Sequence, residues 1–250
     1  MTLIQTHYLP HALPTRARLD TEPVVRELLS PDITPDLMTR FLIEWSARGA
    51  YMTEPVDGWI RGAGERCIAL GQEKVGRQLI THAKHEAGHH LMTIADARVL
   101  TARWNAGHSR KLDADALVAQ APTAAMREYR QVHDEAITGD LPLGQAAIEY
   151  EVGYLAVVLV PRILARVREV VGQETLDSLT FLREHAEVDV GHTALNERMM
   201  EGLLGTHPEE GPRLASFGSR GLDCYLRFLA DCMDAARRSL DGAGVTAAAA

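Results

Sequence analysis

Two short stretches of the chain concentrate side chains that bind metal ions. Six of the eleven histidines lie in the runs His82-Ala-Lys-His85-Glu86-Ala-Gly-His89-His90 and His185-Ala-Glu-Val-Asp189-Val-Gly-His192. Read as helix, the first run places Glu86 and His89 about 60° apart around the axis and one turn along it. A carboxylate and an imidazole so placed can face one ion, an arrangement helix bundles use to hold iron or manganese. In the second run His185, Asp189 and His192 fall within about 60° of arc. Val188, Val190 and Leu195 interleave with them, so the stripe is bordered by apolar side chains. Burying two imidazoles and a carboxylate without partners costs several kcal/mol, on the order of ~2–7 per group, and a cation is the partner that removes the cost.

A further carboxylate is expected from the most apolar segment, Gln145 to Val171. There Glu149 and Glu151 are the first charges after Asp140, and no other charge follows until Arg162. The two are about 200° apart on a helix, so only one can face a shared site. The phase of Glu149 continues through Val152, Ala156, Leu159, Ile163 and Val167, whereas that of Glu151 leads to Leu155, Val158, Arg162 and Glu169. Phase favours Glu149.

The elements that must position these residues read as helices throughout. Hydrophobic residues make up 46%, charged ones 24% and aromatics 5% of 250 residues, a balance that fits one all-α domain. Residues 1–33 hold four prolines and form an N-terminal arm, with a short helix through Glu22 to Leu29. The main domain runs over 34–241. Thr34 and Pro35 open a helix to about Arg48, with Leu37, Phe41, Leu42 and Trp45 on one face. A long helical stretch from Trp59 to Trp104 lacks proline, and its glycines leave room for close packing or a kink. A polar helix from Asp113 to Ile137 follows, then the apolar one, which Pro161 should bend or divide. Glu174 to Gly202 carries the second histidine run, Phe217 to Leu240 the last helix, and 242–250 reads as a disordered tail.

These motifs resemble the haem-oxygenase-like diiron oxidases and oxygenases, the iron-containing redox enzymes, over roughly Thr81 to Leu195. In that family one helix gives a Glu and a His, a second a Glu, and a third a His, an Asp or Glu four residues on, and a His three further. His185, Asp189 and His192 match the last pattern at each spacing. The resemblance implies a haem-oxygenase-like (TenA-like) helical bundle and two Fe(II) ions held by Glu86, His89, one α-helical Glu, His185, Asp189 and His192, with O2 as co-substrate. The family interval fits Glu151, 34 residues before His185, better than Glu149, 36 before it; against the phase, the resemblance selects Glu151. The substrate it implies is a small amine, an amino acid or a fatty-acid-like molecule, in natural-product metabolism. An external electron donor and a homodimer are compatible with it.

Other readings compete. His85-Glu86-Ala-Gly-His89 spells a zinc-hydrolase signature, although it leaves the second run idle. A ferritin-like carboxylate centre would need a further acid, Glu44 or Glu73. A non-catalytic scaffold would bind no iron. A cofactor-free thiaminase-like enzyme is disfavoured because no cysteine lies near either run. His82 and His90 flank the ligands as hydrogen-bonding or surface residues. Tyr150, Tyr154 and Arg162 could line a pocket for a substrate carboxylate, or serve as core aromatics with a snorkelling Arg.

A net charge of −8 gives no attraction to nucleic acid or to anionic membranes. Cys67, Cys224 and Cys232 read as buried thiols in a reducing compartment, and the N-terminus shows no signal-peptide core, so the expected location is cytoplasmic.

Overall fold

Four prolines do not keep the first 33 residues from forming helix. A π-helical turn (Ile4–Tyr8) leads into α1 (Leu9–Arg16), a 3-10 turn (Ala17–Asp20) and α2 (Pro23–Leu28). Pro10 and Pro23 sit in first turns, where a missing N–H costs nothing. Ile4, Tyr8 and Ala12 are fully buried, so this stretch supplies core as well as covering it. The computed structural model describes residues 1–241, apart from the side chain of Asp189. The expected tail lies outside the described residues.

Thr34 caps α3 (Pro35–Thr53), its hydroxyl accepting from the Leu37 amide at 3.2 Å. The stretch expected as one helix from Trp59 to Trp104 is three: α4 (Val56–Ala69), α5 (Glu73–Glu86) and α6 (His89–Gly107). Gly71 and Gly88 adopt φ of 83° and 89°, a left-handed conformation that ends a helix and that glycine reaches without strain. Two other glycines let α4 and α5 fold back on each other. A Cβ on Gly64 would stand 2.7 Å from the Gly76 carbonyl oxygen.

The polar helix is also divided, into α7 (Ala114–Val118) and α8 (Ala124–Thr138). Pro122 cannot continue the first, and Thr123 caps the second. By contrast α9 (Gly144–Val171) runs unbroken through Pro161. Val157, whose carbonyl loses its partner there, is exposed, so water can take the bond. After Gly172 come α10 (Gln173–Asp177), α11 (Thr180–Leu204) and α12 (Gly211–Leu240), the last starting six residues before the expected Phe217.

The division between α10 and α11 has a tertiary cause. Asp96, buried on α6, accepts from the Thr180 hydroxyl at 2.6 Å and the Phe181 amide at 3.0 Å. It thereby caps α11 from another helix. Burial pushes its carboxyl upward in pKa, and these bonds oppose the shift. The two helices that carry the histidine runs are tied at this point.

No strand occurs among the described residues, and none of their helices is long and apolar enough to cross a membrane. Two apolar clusters form the interior. One joins Phe41, Trp45, Leu100, Leu159, Leu182 and Phe228; the other joins Tyr8, Ile60, Leu79, Ala146 and Met200. The three cysteines are buried and free.

Gly88 yields a direct test. A Cβ there would meet nothing within 4 Å, so Gly88→Ala should cost only the left-handed strain, about 1–2 kcal/mol, read as a lowered urea midpoint with an unchanged slope.

Candidate metal centre

Glu86 is the last residue of α5 and only 7% exposed. Its Oε2 lies 2.9 Å from His89 Nδ1, the first residue of α6, across the Gly88 break. Its Oε1 lies 3.0 Å from His192 Nδ1 on α11 and 3.4 Å from His82 Nε2, one turn back on α5. Burial alone would push this carboxyl up; the imidazoles of His82, His89 and His192 more than reverse that and hold it well below the usual carboxylate range.

Ligand atoms of His82, Glu86 and His192 all lie within 4.8 Å of one another, as do those of Glu86, His89 and His185. Glu86 belongs to both groups. Ring centroids of His82 and His192 are 4.6 Å apart, and those of His89 and His185 4.8 Å. These residues could hold metal ions, and two details fit that use. His82 is buried; its Nδ1 has no hydrogen-bond partner among the described residues, and its Nε2 makes only the long 3.4 Å approach to Glu86 Oε1, too poorly aligned to count as a full hydrogen bond. His185 gives Nδ1–H to the Phe181 carbonyl at 2.9 Å, which fixes the tautomer and leaves Nε2 as a lone-pair donor.

His82, expected beside the candidate ligands as a hydrogen-bonding or surface residue, stands within one of the two donor groups. Its position four residues before Glu86 was a readable signal, since i and i+4 share a helix face. His85 is exposed and belongs to neither group, although its ring lies 6.5 Å from that of His192. Because α5 ends at Glu86, the zinc-hydrolase signature has no continuous helix to present its two histidines. His90 is half-buried and outside both groups. Asp189 lies on α11 between His185 and His192, and its side chain is outside the described residues.

The two carboxylates of α9 part ways. Glu151 is 0% exposed and accepts from Tyr8 Oη at 2.7 Å and from Arg16 Nε at 2.8 Å. Arg16 lies against the rings of Tyr154 and Tyr150, with its Cζ 3.9 and 5.0 Å from their centroids. Glu151, Tyr150 and Tyr154 thus anchor the N-terminal helices, and Arg162 pairs with Asp20 at the surface. Glu149 instead lines a cavity of about 100 Å³ together with Glu86, His89, His185 and His192. Glu149, as its helix phase suggested, faces the histidine-lined cavity, and Glu151 faces Arg16 and Tyr8. Glu44 is engaged by Arg40 and Arg48, and Glu73 by Arg77, so neither supplies the extra acid of a ferritin-like centre.

Apolar walls enclose this cavity: Trp45, Met52, Val152, Leu155, Phe181 and Leu182, with the Tyr129 and Tyr225 rings. No Lys or Arg is among its lining residues. Asn196, one turn beyond His192, was missed by sequence reasoning. It lines the cavity at 1% exposure with neither amide atom hydrogen-bonded to a described residue.

Comparison with solved structures decides the fold. A domain of unknown function from Shewanella denitrificans OS217, described as having a heme oxygenase-like fold, superposes with a TM-score of 0.72 at 17% identity, covering 96% of this chain and 95% of that one. A TenA homolog from Pseudomonas syringae pv. tomato DC3000 gives 0.67 at 16% identity, covering 93% of each. The chain has the haem oxygenase-like fold. At the level of sequence no family model and no curated protein matches it. On this haem-oxygenase-like bundle the centre is built from α5, α6 and α11, with α9 supplying the facing wall.

The contrast between the two α9 acids is measurable as stability. Glu151→Ala leaves Arg16 and Tyr8 buried without their acceptor and should cost about 3–5 kcal/mol. Glu149→Ala removes one acceptor from Gln145 and should cost about 1 kcal/mol. Urea denaturation of both variants checks the order.

Proposed function

We propose that this chain is an O2-dependent non-haem oxidoreductase whose centre takes two iron ions. The observation that carries the reading is Glu86, a carboxylate shared by two three-residue donor groups that lie on either side of it. An all-nitrogen-and-oxygen donor set with few protein ligands per ion suits ferrous iron and leaves positions open. His82, Glu86 and His192 would hold one ion and Glu86, His89 and His185 the other, with Asp189 and Glu149 completing the set. Bound in this way, the iron pair would supply the electrons and the coordination positions for reduction of O2.

The chain's own residues would do the remaining work. Apolar walls exclude bulk water, which strengthens every charge interaction inside and protects reactive species. Phe181 stacks on His185 at 3.9 Å and holds that ring in place. The substrate must share the cavity with the centre. Its lining favours a molecule with an apolar body, an amine above all, because no cationic side chain among the lining residues would pair with the carboxylate of a free amino acid or of a fatty acid. A role in natural-product metabolism follows the same resemblance and is a proposal on that ground alone.

Anaerobic titration with Fe(II), followed by metal analysis, tests the reading. Two ions should bind per wild-type chain, about one in His82→Ala, and none tightly in Glu86→Ala. Glu151→Ala should keep both, judged on its folded fraction. On mixing with O2 the loaded wild type should consume it. A single bound zinc, or iron uptake that survives loss of Glu86, would overturn the proposal.

A further inference from the structure

Behind Glu149 stand two buried side chains that the metal reading leaves unused. His133, on α8, is fully buried, and its ring lies flat on Trp59 with centroids 3.9 Å apart and planes within 3°. Tyr129 meets it edge-on at 4.5 Å. Its Nδ1 is 2.7 Å from Gln145 Oε1, and Gln145 Nε2 donates to Glu149 Oε1, also at 2.7 Å. Gln145 is itself 0% exposed, one turn before Glu149 on α9.

This chain of contacts is consistent in one orientation. Burial pushes the His133 imidazole down to about 3, with the Gln145 bond opposing, so the ring is neutral near pH 7 and carries one N–H. An amide oxygen only accepts, which places that proton on Nδ1. With its oxygen engaged, Gln145 turns its NH2 toward Glu149. Reversing the amide would set its oxygen against a carboxylate oxygen, two acceptors facing each other at hydrogen-bond distance. The Trp59 stack therefore fixes a ring, the ring fixes an amide, and the amide fixes one carboxylate oxygen of Glu149 at the cavity wall.

We infer that Gln145, oriented by His133, is a positioning residue that presents Glu149 to the metal centre. The inference rests on the metal reading above and goes beyond it. Loss of an outer hydrogen-bond partner of a metal ligand weakens binding by about 10–100-fold, and that is the effect expected of removing the Gln145 amide.

The test combines anaerobic Fe(II) titration of the full-length protein with nitrogen-15 NMR of His133 in the metal-free state. Gln145→Met keeps length and loses the donor; His133→Asn keeps an N–H near the position of Nδ1, whereas His133→Phe keeps the stack and loses it. Gln145→Met and His133→Phe should each weaken uptake of one ion by about 10–100-fold, and His133→Asn should bind it nearly as the wild type does. Without metal, His133 should hold the neutral Nδ1–H form from pH 5 to 8 and lose that preference in Gln145→Met. Wild-type affinity in Gln145→Met, with an ion lost in Glu149→Ala, would sink the positioning role and leave the metal centre standing. Absence of iron uptake by the wild type would sink both. A tautomer in Gln145→Met identical to that of the wild type would remove the support itself, whatever the metal data.

Discussion

Glu86 holds a negative charge where little of its surface meets water, and four imidazoles crowd around it and each other. Two positive histidines placed ring to ring at 4.6 or 4.8 Å repel one another. Neutral rings avoid that repulsion but have at most one N–H apiece for the carboxylate, and that of His185 goes to the Phe181 carbonyl instead. A pair of dications satisfies both constraints, because each neutral imidazole then offers a lone pair and the shared carboxylate faces positive charge on two sides. The helices meet in a way that keeps these groups together. Asp96 fastens α6 to the start of α11, and the glycine contact of α4 with α5 fixes the approach of His82 and Glu86.

Much of this was readable from residue types and spacing. Helix starts with a proper cap, such as Thr34-Pro35, fall where expected, because capping is a local interaction. The histidine runs were identifiable because donors at intervals of three and four share a helix face, which holds for His82 with Glu86 and for the run on α11, whereas Glu86 and His89 meet across the Gly88 turn instead. Helix breaks at Gly71 and Gly88 were not, since a glycine inside a helix and a left-handed glycine ending one look alike in sequence. Nor was the start of α11, where the capping carboxylate comes from Asp96 on another helix, 84 and 85 positions from Thr180 and Phe181.

The two acids of α9 show the same boundary between local and distant causes. Glu149 faces the cavity because the phase of its helix puts it in line with Val152 and Ala156, which also line it. Glu151 points to the far side, where a lone carboxylate would be costly to bury. Its partners, Arg16 and Tyr8, come from 135 and 143 positions earlier, so no window around Glu151 could reveal them. A buried carboxylate next to an apolar run signals an unknown partner, and that partner can be an ion or another part of the chain. Only phase distinguishes the two when both acids lie on one helix.

The break at Gly88 also changes the electrostatics of the centre. On an unbroken helix Glu86 would sit among paired backbone groups, and the peptide dipoles around it would continue past it. Here α5 ends at Glu86, so the unpaired carbonyls of its last turn add partial negative charge beside the carboxylate. The start of α6 supplies partial positive charge, but at His89, beyond the turn. Carbonyl ends and a buried carboxylate at one spot create a negative potential that hydrogen bonds from neutral imidazoles offset only in part. A cation bound there gains from both. The same left-handed turn at Gly88 therefore adds to the negative potential of this pocket, and it brings Glu86 and His89 together from separate helices, their side chains 2.9 Å apart.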